Sequence, residues 1–361
     1  MTYRAIGLMS GSSLDGLDLV FAELAESAGS WNYEILAADC YAYEADWTER
    51  LKNAIHLNAL DYQLLHTAYG HYLGGQVNRF IDEKGLDFKV GLIASHGHTT
   101  FHVPAKKMTA QLGDGAAIAA TTCLPVISDL RALDVAFGGQ GAPIVPIAEK
   151  LLFKDYSLFL NIGGIANISF GKGEKYMAYD VCPANRVLNL IANRVDKEYD
   201  ADGALAASGG VQEQLLERLN ALAYYSQSHP KSLANDFGTD EVYPLIQACH
   251  LSPADAAATM VAHIAAQIKS AISQFGIQDS RLLVTGGGAF NTFLISELTK
   301  SLNEFAIEVI VPDSQTVQYK EALAMALIGV LRWRQEYNVL SSVTGAKRDS
   351  IGGAVWIGQE A

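Results

Sequence analysis

Short apolar runs alternate with longer amphipathic stretches along the chain, which is the pattern of an α/β protein. Apolar runs near the N-terminus predict three strands, at 5–9, 17–24 and 33–43. Helical spacing then predicts a helix over 47–81, and a buried strand follows at 90–94. This strand runs into His96 and Gly97, and open α/β sheets bind ligands just beyond the carboxyl ends of their strands.

The second half of the chain repeats the order of the first. Strands are predicted around Gly163 and Gly164, at 175–180 and at 281–285, with long helices over 254–272 and 321–333. The repeated order predicts an internal duplication of topology, although the residue identity between the halves is slight. At 361 residues the chain is long enough for two domains. We expect an N-terminal domain of 1–128 plus 335–361 and a C-terminal domain of 129–334.

Three glycine-rich turns follow apolar runs, at 7–18, 160–168 and 284–291. Because glycine has no Cβ, backbone N–H groups can close on an anion there, and neighbouring serine hydroxyls add donors. The third turn opens a helix-like segment, and helix N-termini favour phosphate groups. Together the turns suggest a nucleotide clamped between two similar half-domains.

Composition narrows the possible partners. Half of the residues are apolar and 18% are charged, as in a soluble enzyme, and no apolar run approaches the roughly 18–20 residues of a membrane span. The first residues lead into a strand and not a signal peptide, so a cytoplasmic protein is expected. A net charge of −13 argues against nucleic acid as a partner. The four cysteines form no CxxC pair, which argues against a zinc site or disulfide framework, and we expect at least three to be buried.

Seven motifs in order make the chain resemble the anhydro-N-acetylmuramic acid kinases of bacterial cell-wall recycling, within the actin-like/sugar kinase/Hsp70 ATPase superfamily. They are 7–16 (GLMSGSSLDG), 95–99 (SHGHT), 111–115 (QLGDG), 131–143 (RALDVAFGGQGAP), 161–168 (NIGGIANI), 286–291 (GGGAFN) and 344–346 (TGA). Each is weak alone, but their order and spacing are specific and cover nearly the whole chain. The resemblance implies an α/β fold of two duplicated actin-like ATPase (ribonuclease H-like) domains with a nucleotide cleft between them, and a homodimer.

The resemblance also implies a reaction. ATP, with Mg²⁺, phosphorylates O6 of the amino sugar 1,6-anhydro-N-acetylmuramic acid while water opens the anhydro bridge at C1, giving N-acetylmuramic acid 6-phosphate. The first and second glycine turns would hold the phosphates, and adenosine would lie near 286–291. The candidate ATP-binding residues are Gly11, Ser12, Ser13, Leu14, Asp15, Gly16, Asp18, Asn161, Gly163, Gly164, Asn167, Gly286, Gly287, Gly288 and Asn291.

Such chemistry needs a carboxylate that takes a proton from water, and Asp180 matches the catalytic aspartate of the family. The residues alone also allow Asp180 to cap a helix that begins near Ala184. Where many members have Gly-Pro-Gly-Asn after an Asp-Thr pair, 180–185 reads DVCPAN, a stiffer turn with fewer donors. A kinase of the same fold for another amino sugar or small acid is therefore an alternative. A nucleotide-dependent binding or regulatory protein is another.

The candidate substrate-binding residues are His96, Gly97, Arg131 and Glu321. The family resemblance places Arg131 in the sugar site, where a guanidinium suits the lactyl carboxylate of a muramic sugar, although an interdomain salt bridge is the alternative. The histidine pair could suggest a metal cluster, but no carboxylate or cysteine shares its spacing, so a polar sugar site is favoured.

Carboxylates near the first turn raise the question of a metal. Asp15 or Asp18 could hold a magnesium-bound water, because Mg²⁺ takes one or two carboxylates and keeps several waters. Met9 stands where the superfamily often has aspartate, so the metal ligands stay unassigned. Glu321 is predicted to start a helix, where the dipole favours acids whatever the function, whereas the family pattern gives a substrate-facing glutamate here.

Overall fold

The computed structural model describes residues 1–11, 14–173, 175–227, 231–234 and 236–358. The chain forms two compact units, one of Met1–Lys154 with Tyr319–Ala361 and the other of Asp155–Gln318. No helix among the described residues is long and apolar enough to cross a bilayer.

The strands of the described residues are β1 (Thr2–Ser10), β2 (Gly16–Ser27), β3 (Ser30–Ala42), β4 (Leu92–Ser95), β5 (His98–Val103), β6 (Met108–Leu112), β7 (Val126–Ser128), β8 (Leu158–Ile162), β9 (Ile165–Lys172), β10 (Lys175–Pro183), β11 (Arg281–Thr285), β12 (Glu308–Ile310) and β13 (Ala354–Trp356). The α-helices are α1 (Ala45–Asn53), α2 (Ala59–Lys84), α3 (Gly115–Thr122), α4 (Ala132–Ala136), α5 (Pro146–Leu152), α6 (Asn185–Ala192), α7 (Ala204–Ala207), α8 (Glu213–Asn220), α9 (Tyr243–Ala248), α10 (Pro253–Ser273), α11 (Thr292–Leu302), α12 (Ser314–Trp333) and α13 (Ser341–Thr344).

In the first unit, a six-stranded sheet of the described residues has the order β13-β7-β4-β1-β2-β3. Strands β1 to β3 form an antiparallel meander, and β4 pairs parallel to β1. Side chains of successive residues point to opposite faces. Ile6 and Leu8 therefore share a face, where they join the core with the buried residues of α2. A Cβ on Gly7 would collide with the main-chain oxygen of Ala322, so glycine lets α12 lie directly on the strand.

In the second unit, the described strands form a sheet of order β10-β9-β8-β11-β12. Numbered by appearance this is 3-2-1-4-5, which is also the order of β3-β2-β1-β4-β7 in the first unit. In both units the first three strands are antiparallel and the fourth is parallel to the first. The α/β fold class and the duplication of topology are therefore confirmed, with the strand order of ribonuclease H-like domains.

The predicted helix over 47–81 is interrupted. α1 ends at Asn53, and α2 begins after Asn58, whose side chain accepts the N–H groups of Leu60 and Asp61 at 3.0 and 3.1 Å. Asparagine is among the best N-cap residues, so the break satisfies donors that a new helix would otherwise expose. The apolar spacing continued through the break and concealed it.

The units divide the chain at 154/155 and 318/319, away from the expected 128/129 and 334/335. Contacts of 129–154 explain one difference. Asp134 accepts a hydrogen bond of 2.7 Å from Thr344, and Glu149 forms an ion pair of 2.9 Å with Lys320, so this stretch is bound to the C-terminal part of the first unit.

The expectation of three or more buried cysteines is wrong. Cys182 is buried, Cys249 is partly exposed, and Cys40 and Cys123 are exposed. Cys40 lies on β3, at the edge of its sheet, and Cys123 takes a left-handed conformation at the end of α3. Both positions are surface positions by topology, which the apolar character of a thiol does not reveal.

Candidate functional site

Four polar residues lie in one row across the sheet of the second unit. Thr285 on β11 pairs with Asn161 on β8, Asn161 pairs with Asn167 on β9, and Asn167 pairs with Asp180 on β10. Directly paired residues point to the same face of a sheet. The candidate catalytic carboxylate therefore shares a face with two candidate nucleotide-binding amides.

The sequence suggested that Asp180 ends its strand. In the structure Asp180 lies within β10, which continues to Pro183. The register shifts directly after it, and such bulges re-aim neighbouring side chains. Its carboxylate Oδ2 accepts the main-chain N–H of Leu233 at 2.9 Å. Burial raises the pKa of Asp180, and the hydrogen bond from Leu233 lowers it in part. A half-buried carboxylate with a raised pKa is suited to act as a base.

The capping alternative for Asp180 is wrong. α6 begins after Ala184, and no side chain caps it. The helix N-terminus is satisfied instead by the second glycine turn: the carbonyl of Gly164 accepts the Ala184 N–H at 2.8 Å, and that of Gly163 accepts the Asn185 N–H at 3.0 Å. The carboxylate of Asp180 is therefore not used to cap the helix.

The second glycine turn joins β8 to β9 in a tight hairpin. The N–H of Gly163 donates to the Ile165 carbonyl at 3.1 Å, so this one backbone donor is used within the turn. A Cβ on Gly163 would meet nothing nearer than 3.7 Å, and one on Gly164 nothing nearer than 3.6 Å. The packing of the described residues therefore does not itself require glycine at either position.

Sequence reasoning missed Arg186 at this turn. Its Nε lies 3.6 Å, and its Nη2 4.0 Å, from the position of a Cβ on Gly164. Arg186 stands in the first turn of α6, where the helix dipole disfavours a cation. This unfavourable placement was the available signal, because an anion beside the turn would compensate for it.

The third glycine cluster packs tightly against β8. Gly286 has φ +80°, and a Cβ there would lie 2.6 Å from Asn161 Oδ1; a Cβ on Gly288 would collide with Ile162. Asn291 caps α11, with its Oδ1 accepting the Leu294 N–H at 2.9 Å. Packing and capping therefore account for these residues. Gly287 is exposed, and a Cβ there would lie 3.6 Å from Asn185 Nδ2, which is an ordinary contact.

The first glycine turn is described in part. Ser12 and Ser13 lie outside the described residues, between Gly11 and Leu14. Gly16 opens β2, where a Cβ would lie 2.7 Å from the Cys40 sulfur. The structure therefore explains Gly16 by strand packing.

Asp18 lies on β2 between Met9 on β1 and Cys40 on β3. Burial raises its pKa to about 6, a hydrogen bond from the Cys40 thiol lowers it, and the charges of Asp15 and Glu321 raise it. Two further carboxylates of the first unit, Asp15 and Glu321, therefore repel the charge of Asp18. A divalent cation would relieve this repulsion, and carboxylate oxygens are ligands that Mg²⁺ prefers.

Glu321 does not start a helix, so the expectation that it sits at an N-terminus is wrong. α12 begins at Ser314, where Asp313 accepts the Thr316 N–H at 2.9 Å. Burial raises the pKa of the Glu321 carboxyl group, with the Lys320 charge lowering it and the Glu149 charge raising it. The helix dipole therefore does not explain this acid.

His96 and Gly97 follow β4 as expected. His96 is buried, with Nδ1 2.9 Å from the Gly97 carbonyl oxygen, and burial together with the charge of Arg131 lowers its pKa to about 4. Its imidazole is therefore neutral near pH 7. Gly97 has φ +70° and a Cβ there would lie 2.5 Å from the Leu112 carbonyl oxygen, so the turn requires glycine.

Arg131 is buried and held by uncharged acceptors. Its Nε donates to the Gly141 carbonyl at 2.6 Å, its Nη1 donates to Thr99 Oγ1 at 2.9 Å, and its Nη2 lies 3.3 Å from His102 Nδ1. Burial lowers its pKa to about 10, with the nearby Asp134 charge raising it. The alternative interpretation was a salt bridge, but these contacts are to uncharged groups. They suit a guanidinium group that binds an anionic ligand.

Within the described part of the chain, no group of three or more His, Cys, Asp or Glu side chains is placed to hold a metal ion. Instead His98 Nδ1 lies 3.3 Å from Ser10 Oγ, which accepts the Tyr43 hydroxyl at 2.8 Å, and the Tyr43 and Tyr69 hydroxyls are 2.6 Å apart. This buried network, which sequence reasoning missed, fixes the residue just before Gly11.

The unusual turn after Asp180 points into the core. Cys182 and Ala184 are fully buried, and both belong to the core of the second unit. The departure from the family pattern therefore lies in packing.

The chain is similar to known proteins along nearly its whole length. A family model described as anhydro-N-acetylmuramic acid kinase matches residues 3–358. The chain is 34% identical over 366 residues to an anhydro-N-acetylmuramic acid kinase of Sulfurovum sp. (strain NBC37-1), covering 98% of this chain and 99% of the relative. It is 33% identical over 370 residues to one of Aliivibrio fischeri (strain ATCC 700601 / ES114), with the same two coverages.

Two solved structures are similar at low identity. The activator of the 2-hydroxyisocaproyl-CoA dehydratase from Clostridium difficile with bound ADPNP is 15% identical, with a TM-score of 0.47, over 92% of this chain and 96% of that chain. A ROK family glucokinase from Streptomyces griseus in complex with glucose and AMPPNP is 11% identical, with a TM-score of 0.42, over 91% of this chain and 99% of that chain.

Proposed function

Because this chain belongs to the anhydro-N-acetylmuramic acid kinase family, we propose that it uses ATP to phosphorylate O6 of 1,6-anhydro-N-acetylmuramic acid while water opens the anhydro ring. The products are N-acetylmuramic acid 6-phosphate and ADP, formed during peptidoglycan recycling. The enzyme is a phosphotransferase with an alcohol group as acceptor. The observation that carries the proposal is the row of Asn161, Asn167 and Asp180 beside the second glycine turn.

Asp180 is the base in this proposal. It takes a proton from water as the water oxygen forms a bond to C1, and the bond from C1 to O6 breaks. O6 forms a bond to the γ-phosphorus, and the bond from that phosphorus to the β,γ-bridging oxygen breaks to release ADP. The raised pKa of Asp180 supports this role because it makes the carboxylate more basic than an exposed aspartate.

The second glycine turn is proposed to hold ATP phosphates. Packing does not require glycine at Gly163 or Gly164, which supports a ligand contact there, and Arg186 provides a cation beside Gly164. Asn161 and Asn167 supply amide groups on the same face of the sheet. Gly287, the exposed glycine of the third cluster, is proposed to lie near adenosine. In the first unit, residues 11–16 and Asp18 are proposed to contact ATP.

The sugar is proposed to contact His96, Gly97, Arg131 and Glu321. Arg131 would bind the lactyl carboxylate, because its close contacts are to uncharged acceptors and leave its charge available. Because the Gly97 carbonyl only accepts, Nδ1 of neutral His96 is the donor there, and Nε2 can accept a hydrogen bond from a sugar hydroxyl.

Mg²⁺ is proposed to accompany ATP. The carboxylates of Asp15 and Asp18 fit it, since they supply hard oxygen ligands and since Asp18 bears an unfavourable concentration of negative charge. When bound, the ion would neutralise phosphate charge. Asp15 and Asp18 would orient its bound waters.

A cytoplasmic homodimer is proposed for the whole protein. The need for ATP supports the cytoplasm, and the family resemblance supports the dimer. Leu57 and Leu64 line a cavity of about 490 Å³ on the surface of α1 and α2, which provides apolar area for association. Sedimentation equilibrium of the purified chain tests the dimer, and a monomer at micromolar concentration contradicts it.

Incubation of the chain with Mg-ATP and 1,6-anhydro-N-acetylmuramic acid tests the activity. Mass spectrometry should detect a product that has gained both a phosphoryl group and a water, from the wild type and not from Asp180→Asn. ATP binding without product would overturn the substrate assignment, and product from the variant would overturn the base.

A further inference from the structure

Two hydrogen bonds from one stretch of chain converge on Asp180. The Tyr224 hydroxyl donates to the Asp180 main-chain carbonyl at 2.5 Å, and the Leu233 N–H donates to Asp180 Oδ2 at 2.9 Å. The first bond fixes the backbone that carries the side chain. The second limits the rotation of the carboxyl group. The two bonds together therefore restrict movement of the backbone and of the carboxylate.

Tyr224 is itself held firmly. It is 5% exposed, and its ring packs against Phe237 with centroids 5.6 Å apart. The Lys231 ammonium lies 4.5 Å from the centre of the Tyr224 ring and donates to the carbonyls of Tyr224 and Tyr225 at 3.2 and 3.4 Å. Lys231 therefore ties the start of the stretch to the part that leads to Leu233.

The neighbouring Tyr225 anchors the stretch to α10. Its hydroxyl lies 2.8 Å from His263 Nε2, and His263 Nδ1 lies 2.7 Å from Asn220 Oδ1. Because an amide oxygen only accepts, Nδ1 is the donor and Nε2 accepts from Tyr225. His263 is fully buried and burial lowers its pKa to about 3, so this link is uncharged and persists across the neutral pH range.

We propose that Tyr224 and the main-chain N–H of Leu233 are positioning groups that hold Asp180 so that its Oδ1 takes the proton from water. Among the described residues, the carboxylate accepts its hydrogen bond at Oδ2, from Leu233. Oδ1 is therefore left for the substrate water. This inference rests on Asp180 being the base, as proposed above. It adds two groups, neither of which lies in the seven motifs named in the sequence analysis, to the machinery of the reaction.

The first test replaces Tyr224→Phe, which removes the hydroxyl and keeps the ring. Tyr243→Phe is the matched control, because the Tyr243 hydroxyl also donates to a main-chain carbonyl of the same unit, that of Leu190 at 3.2 Å. Loss of one hydrogen bond that orients the base should lower kcat roughly 3- to 10-fold, with KM for ATP unchanged. The control should keep the wild-type kcat, although both variants lose a hydroxyl.

The second test compares Leu233→Pro with Leu233→Ala. Proline lacks the N–H that Asp180 accepts, whereas alanine keeps it. The titratable groups around Asp180 are Tyr179, Cys182 and Tyr224, whose pKa values burial raises, and Lys231, whose pKa burial lowers. The tyrosines and the thiol stay uncharged near neutral pH, so they do not mask the base. Relative to Leu233→Ala, Leu233→Pro should lower kcat and move the acid limb of kcat/KM to higher pH.

The outcomes separate this inference from the proposed function. If Asp180→Asn keeps its activity, the base assignment itself is wrong. If Asp180→Asn is inactive but Tyr224→Phe and Leu233→Pro behave like their controls, Asp180 is the base and the positioning role is overturned. If Leu233→Pro fails to fold by circular dichroism, the comparison of Tyr224→Phe with Tyr243→Phe decides alone.

Discussion

Asn167 on β9 lies directly opposite Asp180 on β10, in the row that continues to Asn161. The corresponding row of the first unit, on β1, β2 and β3, is Met9, Asp18 and Cys40. Each unit therefore carries a carboxylate at the same level of the same sheet topology, on the third strand in one and on the second in the other. The duplicated fold supplies equivalent positions, and the side chains at them have diverged.

Asp180→Asn is expected to remove activity without lowering stability. General base catalysis contributes roughly 10²–10⁴-fold, so kcat should fall by about that factor. The folded-state pKa of Asp180 is raised, which means that ionisation of this carboxyl group opposes folding at any pH above the ordinary value. Removing the charge should leave the free energy of unfolding at pH 7 equal or higher. Urea denaturation checks this, and a clear loss of stability would contradict the burial argument.

The pH dependence of the wild type should reveal the same group. A base must be deprotonated, so kcat/KM should fall as pH falls through the pKa of Asp180. Because burial raises that pKa, the acid limb should lie above the ordinary aspartate value of 3.8. His96 has a pKa of about 4 and stays neutral over the upper part of this range. An acid limb at or below 3.8, measured with saturating Mg-ATP, would exclude Asp180 as the titrating base.

Alanine substitutions of two glycines should change different properties: one should weaken ATP binding, and the other should lower stability. Alanine at Gly163 meets no atom nearer than 3.7 Å, so the melting temperature should not change, while KM for ATP should rise roughly tenfold if a phosphate lies there. Alanine at Gly286 is strained at φ +80° and lies 2.6 Å from Asn161, so it should destabilise the fold by roughly 1–3 kcal/mol. Differential scanning fluorimetry and ATP titration measure both. Unchanged ATP binding by Gly163→Ala would argue against the phosphate role.

The ion pair of Lys320 with Glu149 should couple strongly. Their side chains are 3% and 6% exposed, with Nζ and Oε1 2.9 Å apart. Lys320→Met leaves Glu149 buried without its cation and should cost about 3–5 kcal/mol of stability. The double variant Lys320→Met with Glu149→Leu should recover much of this loss, because no uncompensated charge remains. Additive losses in the double-mutant cycle would show that the pair does not interact as the structure implies.

Much of the fold could be predicted because period and turn chemistry are local. The strand predicted at 281–285 is β11, and the strands at 5–9 and 17–24 lie within β1 and β2. The start of α12 could not be read from the apolar spacing, because Asp313 and Thr316 set it by a capping bond that precedes the apolar run. The same reason explains the error at Glu321.

Some residues of the candidate site could likewise be predicted from the sequence, and others could not. Glycines and Asp180 were recognisable as chemical types in the sequence. Whether packing requires a glycine depends on atoms of distant segments, such as Asn161 beside Gly286 and Arg186 beside Gly164, which no local pattern contains. Arg186, Tyr224 and Leu233 were missed because their partners are brought to them by folding.

The sequence by itself determined the α/β class, the repeated order of elements and the family, because hydrophobic period, turn residues and motif order are properties of neighbours along the chain. The tertiary structure alone decided which side chains meet. Strand register placed Asn161, Asn167 and Asp180 in one row, burial raised the pKa of the base, and a hydrogen bond spanning 53 residues fixed its carboxylate. Register and burial arise from contacts between segments remote in sequence, and for that reason only the folded chain contains them.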